Sequence, residues 1–188
     1  MVVRFGGAIS TNTNSFSNVE IQPEPTAYGS TANEFFGAGL GMNFGRYLGA
    51  ELAFDAYEVR LATTGDVSVS EMAIMGFVPQ LRVRYPLLGG LLVPYAIGGV
   101  GLSYIERNDT KQGGQALSVE NDSFGVAAAV GLGIEYFVTS NIAIGVESRY
   151  LTARGHSIKI NGGPASSGSF DAVTAVAVLR IFLAQFGK

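Results

Sequence analysis

The chain of 188 residues contains no cysteine and a single histidine, His156. The absence of cysteine excludes disulfide bonds, thiol chemistry and metal–thiolate sites. One histidine leaves little scope for a metal centre or for histidine-assisted nucleophilic catalysis, so we expect neither a metal nor a cofactor. The net charge of −3 lacks the basic excess of a nucleic-acid-binding protein, and nucleic acid is therefore not an expected partner.

Charged residues are also scarce, at 14% of the chain against 47% hydrophobic residues. A soluble domain normally carries roughly 25% charged residues, so part of the apolar surface is expected to face lipid. The longest uncharged run, residues 86–105, has the length of a transmembrane helix. It contains two prolines and five glycines, which destabilise a helix interior, and this disfavours a helical membrane protein.

The apolar residues alternate instead with small or polar residues at a period of two, and the clearest case is residues 124–137. One face of this segment carries Val126, Ala128, Val130, Leu132, Ile134 and Tyr136, and the other carries Gly125, Ala127, Ala129, Gly131, Gly133 and Glu135. This alternation is typical of a membrane barrel strand, whose side chains point in turn to lipid and to the lumen.

The same alternation recurs in residues 1–10, 36–44, 50–55, 75–85, 142–150 and 171–183. In residues 93–104 both faces are apolar or glycine, so the inward face is ambiguous there. The pattern predicts an all-β fold, an eight-stranded antiparallel up-and-down transmembrane β-barrel that forms one domain over residues 1–188.

The predicted connections alternate in length. Long polar stretches fall near residues 11–34, 58–71, 106–123 and 152–169, and short turns fall near residues 45–49, 86–92 and 137–141. This asymmetry predicts long extracellular loops, short periplasmic turns and both termini in the periplasm. No apolar leader opens the chain, so we expect the mature form.

Aromatic residues fall near both ends of the predicted strands, as expected for two interfacial girdles. We predict an outer girdle of Phe36, Tyr57, Tyr104, Phe124, Tyr150 and Phe170, and an inner girdle of Phe5, Phe44, Tyr85, Tyr95 and Tyr136.

Three stretches carry a family resemblance: residues 94–101, with Pro-Tyr-Ala followed by Gly-Gly-Val-Gly, residues 131–136 and residues 142–147. Together they resemble the OmpA-type and opacity-protein family of small outer-membrane barrels, which includes OmpW-like proteins. The resemblance spans nearly the whole chain and implies residence in a bacterial outer membrane, among lipid and lipopolysaccharide. Barrels of this family commonly end in an aromatic residue. This chain departs from that pattern, because Phe186 is followed by Gly187 and Lys188.

The predicted lumen holds charges of both signs. They are Arg4, Arg82, Arg84, Arg149 and Arg180 with Glu51, Asp55, Glu135 and Glu147. An eight-stranded barrel is only wide enough for its interior side chains to fill it, so one interpretation is a structural polar core. The alternative is a gate for small solutes, formed by Glu51, Arg82, Arg84, Glu135 and Arg180.

Two further alternatives concern the class of protein. Outer-membrane lipid A deacylases use histidine, serine and an acidic residue, which invites a comparison with His156, Ser157 and Glu147. Adjacent strand residues point to opposite faces, however, and we expect His156 in the fourth long loop, where no base would be held in place. A soluble lipocalin-like carrier would turn its apolar face inward, which the charges on the small-residue face oppose.

The sequence thus favours a non-enzymatic barrel with a structural or surface-interaction role, with other envelope proteins as candidate partners. The OmpW-like resemblance suggests an alternative role as a narrow pore or conduit for small or apolar solutes.

Overall fold

The computed structural model describes residues 1–10, 32–61, 70–107, 110–112, 115–117, 119–120, 123–160 and 166–182. Its strands are β1 (Val2–Ser10), β2 (Ala32–Phe44), β3 (Leu48–Leu61), β4 (Ser70–Arg84), β5 (Leu92–Arg107), β6 (Thr110–Gln112), β7 (Gln115–Leu117), β8 (Val119–Glu120), β9 (Ser123–Phe137), β10 (Ile142–Ile160) and β11 (Ser166–Ile181). One 3₁₀ turn, Leu88–Gly90, lies between β4 and β5.

Eight of these strands close into an antiparallel barrel. Each of β1 to β5 pairs with the next, β5 pairs with β9, β9 with β10 and β10 with β11. The barrel closes because β11 also pairs with β1, with Val2 opposite Arg180. No sheet edge is left within this cycle, which satisfies the backbone hydrogen bonds that lipid cannot. The predicted eight-stranded up-and-down barrel is confirmed.

The alternation of side chains follows the predicted parity. Leu132 is 69% exposed on the outer surface, whereas Ala129, on the other face of the same strand, is 1% exposed. In β5 the structure resolves the ambiguous parity, because Ile97 and Ser103 are buried while Val100 and Leu102 are exposed. The exposed row on each strand is mostly apolar, and the enclosed row holds small and charged residues together with a cluster of buried apolar side chains.

Three short connections lie at one end of the barrel, which we call the short-turn end. They are residues 45–47, between β2 and β3; residues 85–91, between β4 and β5; and residues 138–141, between β9 and β10. All three match predicted short turns. Among the described residues, no helix is long and apolar enough to cross a bilayer.

The long connections are shorter than predicted where the structure describes them. The prediction that residues 152–169 form a long loop was wrong, because β10 continues to Ile160 and β11 begins at Ser166. Strands β3 and β4 likewise extend into the range 58–71. In both places the strands stay paired beyond the segments in which the alternation of apolar residues predicted a strand. Residues 11–31, which make up most of the first predicted loop, lie outside the described residues.

The aromatic girdles are only partly as predicted. Tyr57, Tyr95 and Phe170 were wrongly assigned to them, because all three are enclosed in the lumen with at most 6% of their surface exposed. Phe5 and Phe36 were placed in opposite girdles but are register partners across β1 and β2. Other aromatics do face outward in groups, among them Tyr104 and Phe124, whose ring centroids are 5.2 Å apart.

Candidate functional site

The charged lumen side chains form one continuous chain of ion pairs, which we call the lumen ion chain. In order of contact its members are Asp55, Arg149, Glu147, Arg4, Glu51, Arg180, Glu135 and Arg82. Signs alternate at every step, and four arginines balance four carboxylates. Each member is at least 95% buried, so the charges are paired where water cannot solvate them.

Arg4 links the two halves of the chain. Its Nε donates to Glu147 Oε1 at 2.9 Å, and its Nη2 donates to Glu51 Oε1. On one side, Arg149 Nη1 donates to Asp55 at 2.6 Å, and its Nε lies 2.5 Å from Glu147 without hydrogen-bond alignment. These contacts join β1, β3 and β10 across the lumen.

The other half leads to the short-turn end. Arg180 donates to Glu51 from Nη1 at 2.7 Å and to Glu135 from Nε at 2.6 Å. Arg82 completes the chain with a 3.2 Å contact from Nη1 to Glu135 Oε1, and its Nη2 donates to Asn43 at 2.7 Å. This half therefore connects β3 with β11, β9 and β4.

Neutral side chains brace the lumen ion chain. Gln80 donates to Glu51 at 3.0 Å and accepts from Arg149 Nη2 at 2.9 Å, which links members that are not neighbours in the chain. Tyr95 donates its hydroxyl proton to Glu147 Oε2 at 2.7 Å. Sequence reasoning missed Tyr95 because strand β5 had no clear parity.

Small residues on the inward face make room for these charges. A Cβ atom at Gly37 would lie 2.8 Å from Asp55 Oδ1, and one at Gly39 would lie 2.8 Å from Glu51 Oε1. Both distances are shorter than real Cβ contacts. The glycines of β2 are therefore the local reason why the carboxylates of β3 fit inside the barrel.

Arg84 was grouped with the gate residues, but the structure does not join it to the lumen ion chain. Its Nε donates to the backbone carbonyl of Arg46 at 3.0 Å, and no carboxylate among the described residues lies within ion-pair distance of Arg84. Arg46 and Arg84 line a cavity of about 810 Å³ at the short-turn end, together with Arg82 and Arg180.

His156 was wrongly expected in a loop. It lies in β10, fully buried, and its Nε2 is 2.8 Å from Ser103 Oγ. A register shift between Ala153 and His156, with Gly155 at φ +81°, forms a bulge that turns His156 into the lumen. Sequence alternation alone could not locate this extra residue.

The compared trio of His156, Ser157 and Glu147 is not brought together as a site. Glu147 and His156 are nine residues apart on β10, which corresponds to roughly 25–30 Å along a strand. Glu147 is engaged by Arg4, Arg149 and Tyr95. The side chain of Ser157 lies outside the part of the chain that the structure describes.

Comparisons with known proteins agree with this architecture. Outer membrane protein A of Serratia marcescens is 27% identical over 138 residues, which is 72% of this chain and 38% of that protein. The matched region thus spans well under half the length of this relative.

Two solved structures resemble the chain over nearly its whole length. Neisserial surface protein A is 15% identical with a TM-score of 0.56, covering 96% of each chain. The outer membrane protein OprG from Pseudomonas aeruginosa is 16% identical with a TM-score of 0.55, covering 97% of this chain and 95% of that one. At these identities the likeness concerns the fold.

The family model described as the outer membrane protein beta-barrel domain matches residues 3–180. This range passes through all eight barrel strands and ends at Arg180 of β11. The closed barrel, its apolar outer surface and its charged lumen are the features that this match accounts for. The chain therefore belongs to the outer membrane protein β-barrel family, whose members lie in the bacterial outer membrane.

Proposed function

We propose that this protein is a non-enzymatic outer-membrane barrel with a structural or surface-interaction role. The supporting observation is the lumen ion chain, whose eight buried members pair with one another inside the barrel, beside a cluster of buried apolar side chains. A filled barrel provides a rigid scaffold for the connections at the end opposite the short turns, and connections on rigid scaffolds commonly carry recognition.

Two measurements test this role. The purified protein in a planar bilayer is expected to show no steady single-channel conductance. In cells that lack the gene, the parent chain is expected to restore resistance to detergent. A separate variant, in which an Asn-Gly turn replaces residues 12–30, tests whether this predicted loop carries a surface interaction. Steady conductance together with no envelope phenotype would contradict the structural role.

A non-enzymatic role is part of this proposal. His156, the one histidine of the chain, is enclosed in the lumen against Ser103 and Phe170 rather than exposed on the outer wall that would meet lipid A. Incubation with purified lipid A is expected to release no fatty acid. Hydrolysis that disappears in Ser157→Ala or Ser103→Ala would overturn this part.

The proposed orientation places the short-turn end and both termini in the periplasm, with the barrel wall in contact with membrane lipid and lipopolysaccharide. The chain has no cysteine, so single-cysteine variants report position without background. A membrane-impermeant maleimide is expected to label a cysteine at residue 20 in intact cells and a cysteine at Ser140 only after lysis. The reverse pattern would invert the orientation.

A second candidate role is a narrow conduit, because neighbouring ion pairs of alternating sign can exchange partners without leaving a charge unpaired. The gate would comprise Glu51, Arg82, Arg84, Glu135 and Arg180, four of which meet at the end of the lumen ion chain. Small conductance steps in the parent that increase in Arg82→Ala would favour the conduit over the closed scaffold.

A further inference from the structure

The cavity at the short-turn end has an unusual distribution of charge. Four arginines line it, namely Arg46, Arg82, Arg84 and Arg180, and no acidic side chain is among its described lining residues. Its volume of about 810 Å³ is within the range of small-molecule sites.

The arginines of this cavity are not all neutralised by the lumen ion chain. Arg82 and Arg180 belong to the chain, in which four arginines already balance four carboxylates. Arg46 and Arg84 are additional, and no described carboxylate forms an ion pair with either. The mouth of the lumen therefore carries a local excess of two positive side-chain charges, beside the Met1 ammonium, which also lines the cavity.

Arg180 also lines this cavity. Its side chain is 6% exposed, and its Nη2 is buried without a hydrogen-bond partner among the described residues. A buried guanidinium N–H without a partner is unfavourable, so such groups normally have an acceptor. Arg180 lines the same cavity as Arg84, and an anion in this cavity would meet their combined positive charge.

We propose that this cavity binds a phosphate group. Two excess positive charges match a doubly charged anion, and the planar guanidinium groups of Arg46 and Arg84 suit the oxygens of a tetrahedral oxyanion. A single carboxylate would neutralise only one of the two charges. Thr139 lies at the rim, where its Oγ1 accepts from the backbone N–H groups of Asn141 and Ile142, and its hydroxyl proton remains for one of the other oxygens. This proposal does not rest on the role proposed above.

The position of the cavity favours a soluble phosphate-bearing solute over a lipid headgroup. Arg82 and Arg180 point into the lumen rather than toward the outer surface, where Leu132 and Val146 meet the bilayer. A lipid headgroup would have to reach past the exposed Leu40 and Met42, which also line the cavity, to contact them.

The test is calorimetric titration of inorganic phosphate into the full chain, folded in maltoside micelles that contain no phosphate. The parent is expected to bind one equivalent saturably, and acetate is expected to bind about tenfold more weakly or not at all, because it carries half the charge. Arg84→Gln and Arg46→Gln are expected to weaken phosphate binding by about fivefold or more each, with correct folding verified by heat-modifiable gel mobility.

Arg154→Gln is the matched control. Arg154 is half-exposed on β10, and it pairs with Asp171 away from the cavity, so its replacement should leave phosphate binding unchanged. Added phosphatidylglycerol that competes with phosphate would support the site and assign its phosphate to a headgroup. No saturable binding in the parent, or equal losses in Arg84→Gln and Arg154→Gln, would overturn the proposal.

Discussion

Tyr95 and Gly133 are register partners across β5 and β9, and the Tyr95 ring fills the space that a side chain at residue 133 would need. The same ring carries the hydroxyl that donates to Glu147. The absence of a side chain at one position of β9 thus allows an aromatic residue of β5 to brace the lumen ion chain.

Gly133→Val is therefore expected to destabilise the barrel by about 1–3 kcal/mol, because overpacking would push the Tyr95 ring away from Glu147. Urea titration of the protein refolded in liposomes gives the free energy of unfolding. Gly98→Val is the matched control. A Cβ at residue 98 would have open space around it, so this position should tolerate the same side chain. Equal losses in the two variants would argue against the specific Tyr95 contact.

Glu147→Gln removes one carboxylate from the middle of the lumen ion chain. The change leaves Arg4 and Arg149 with one buried carboxylate partner each, and breaking a buried ion pair in this way costs about 3–5 kcal/mol. Arg154→Gln breaks a half-exposed ion pair to Asp171 at 3.0 Å and should cost about 1 kcal/mol or less. The same urea titration gives the free energy of unfolding of both variants. Similar losses of stability in the two would show that burial does not determine how much an ion pair contributes.

Val130→Arg tests the apolar outer surface. Val130 is exposed midway along β9, where it should meet hydrocarbon, and arginine at such a depth destabilises a membrane barrel by roughly 2–4 kcal/mol. Val138→Arg, in the short turn after the same strand, should cost about 1 kcal/mol or less because it lies near the interface. A tolerated Val130→Arg in liposomes would contradict a lipid-facing position.

The sequence predicted the barrel and most of its inward and outward faces because a strand between lipid and lumen needs strict alternation. Leu132 and Glu135 fall on opposite faces for this reason alone. The same rule placed the charged side chains in the lumen. It could not predict their order of contact, since partners such as Arg4 and Glu147 are 143 residues apart and meet only after the barrel closes.

Other features depend on local geometry that alternation does not encode. The bulge between Ala153 and His156 shifts the parity of β10 by one step and encloses the histidine. Tyr95 resembles an interfacial aromatic residue in sequence, but it lies on the inward face of β5 with Val93 and Ile97, and Gly133 on the neighbouring strand leaves room for its ring. Arg84 follows the parity of Arg82, yet it lies two residues nearer the end of the barrel, where it lines the cavity without joining the lumen ion chain.

Lipid quenching of single-cysteine fluorescent labels along β9 shows directly whether the inward row of the barrel is enclosed. The chain has no native cysteine, so labels at Val126, Ala127, Ala128, Ala129 and Val130 can be read one at a time. Doxyl-labelled lipid is expected to quench the labels at residues 126, 128 and 130 strongly and those at 127 and 129 weakly. Quenching in the opposite phase, or without alternation, would contradict the account.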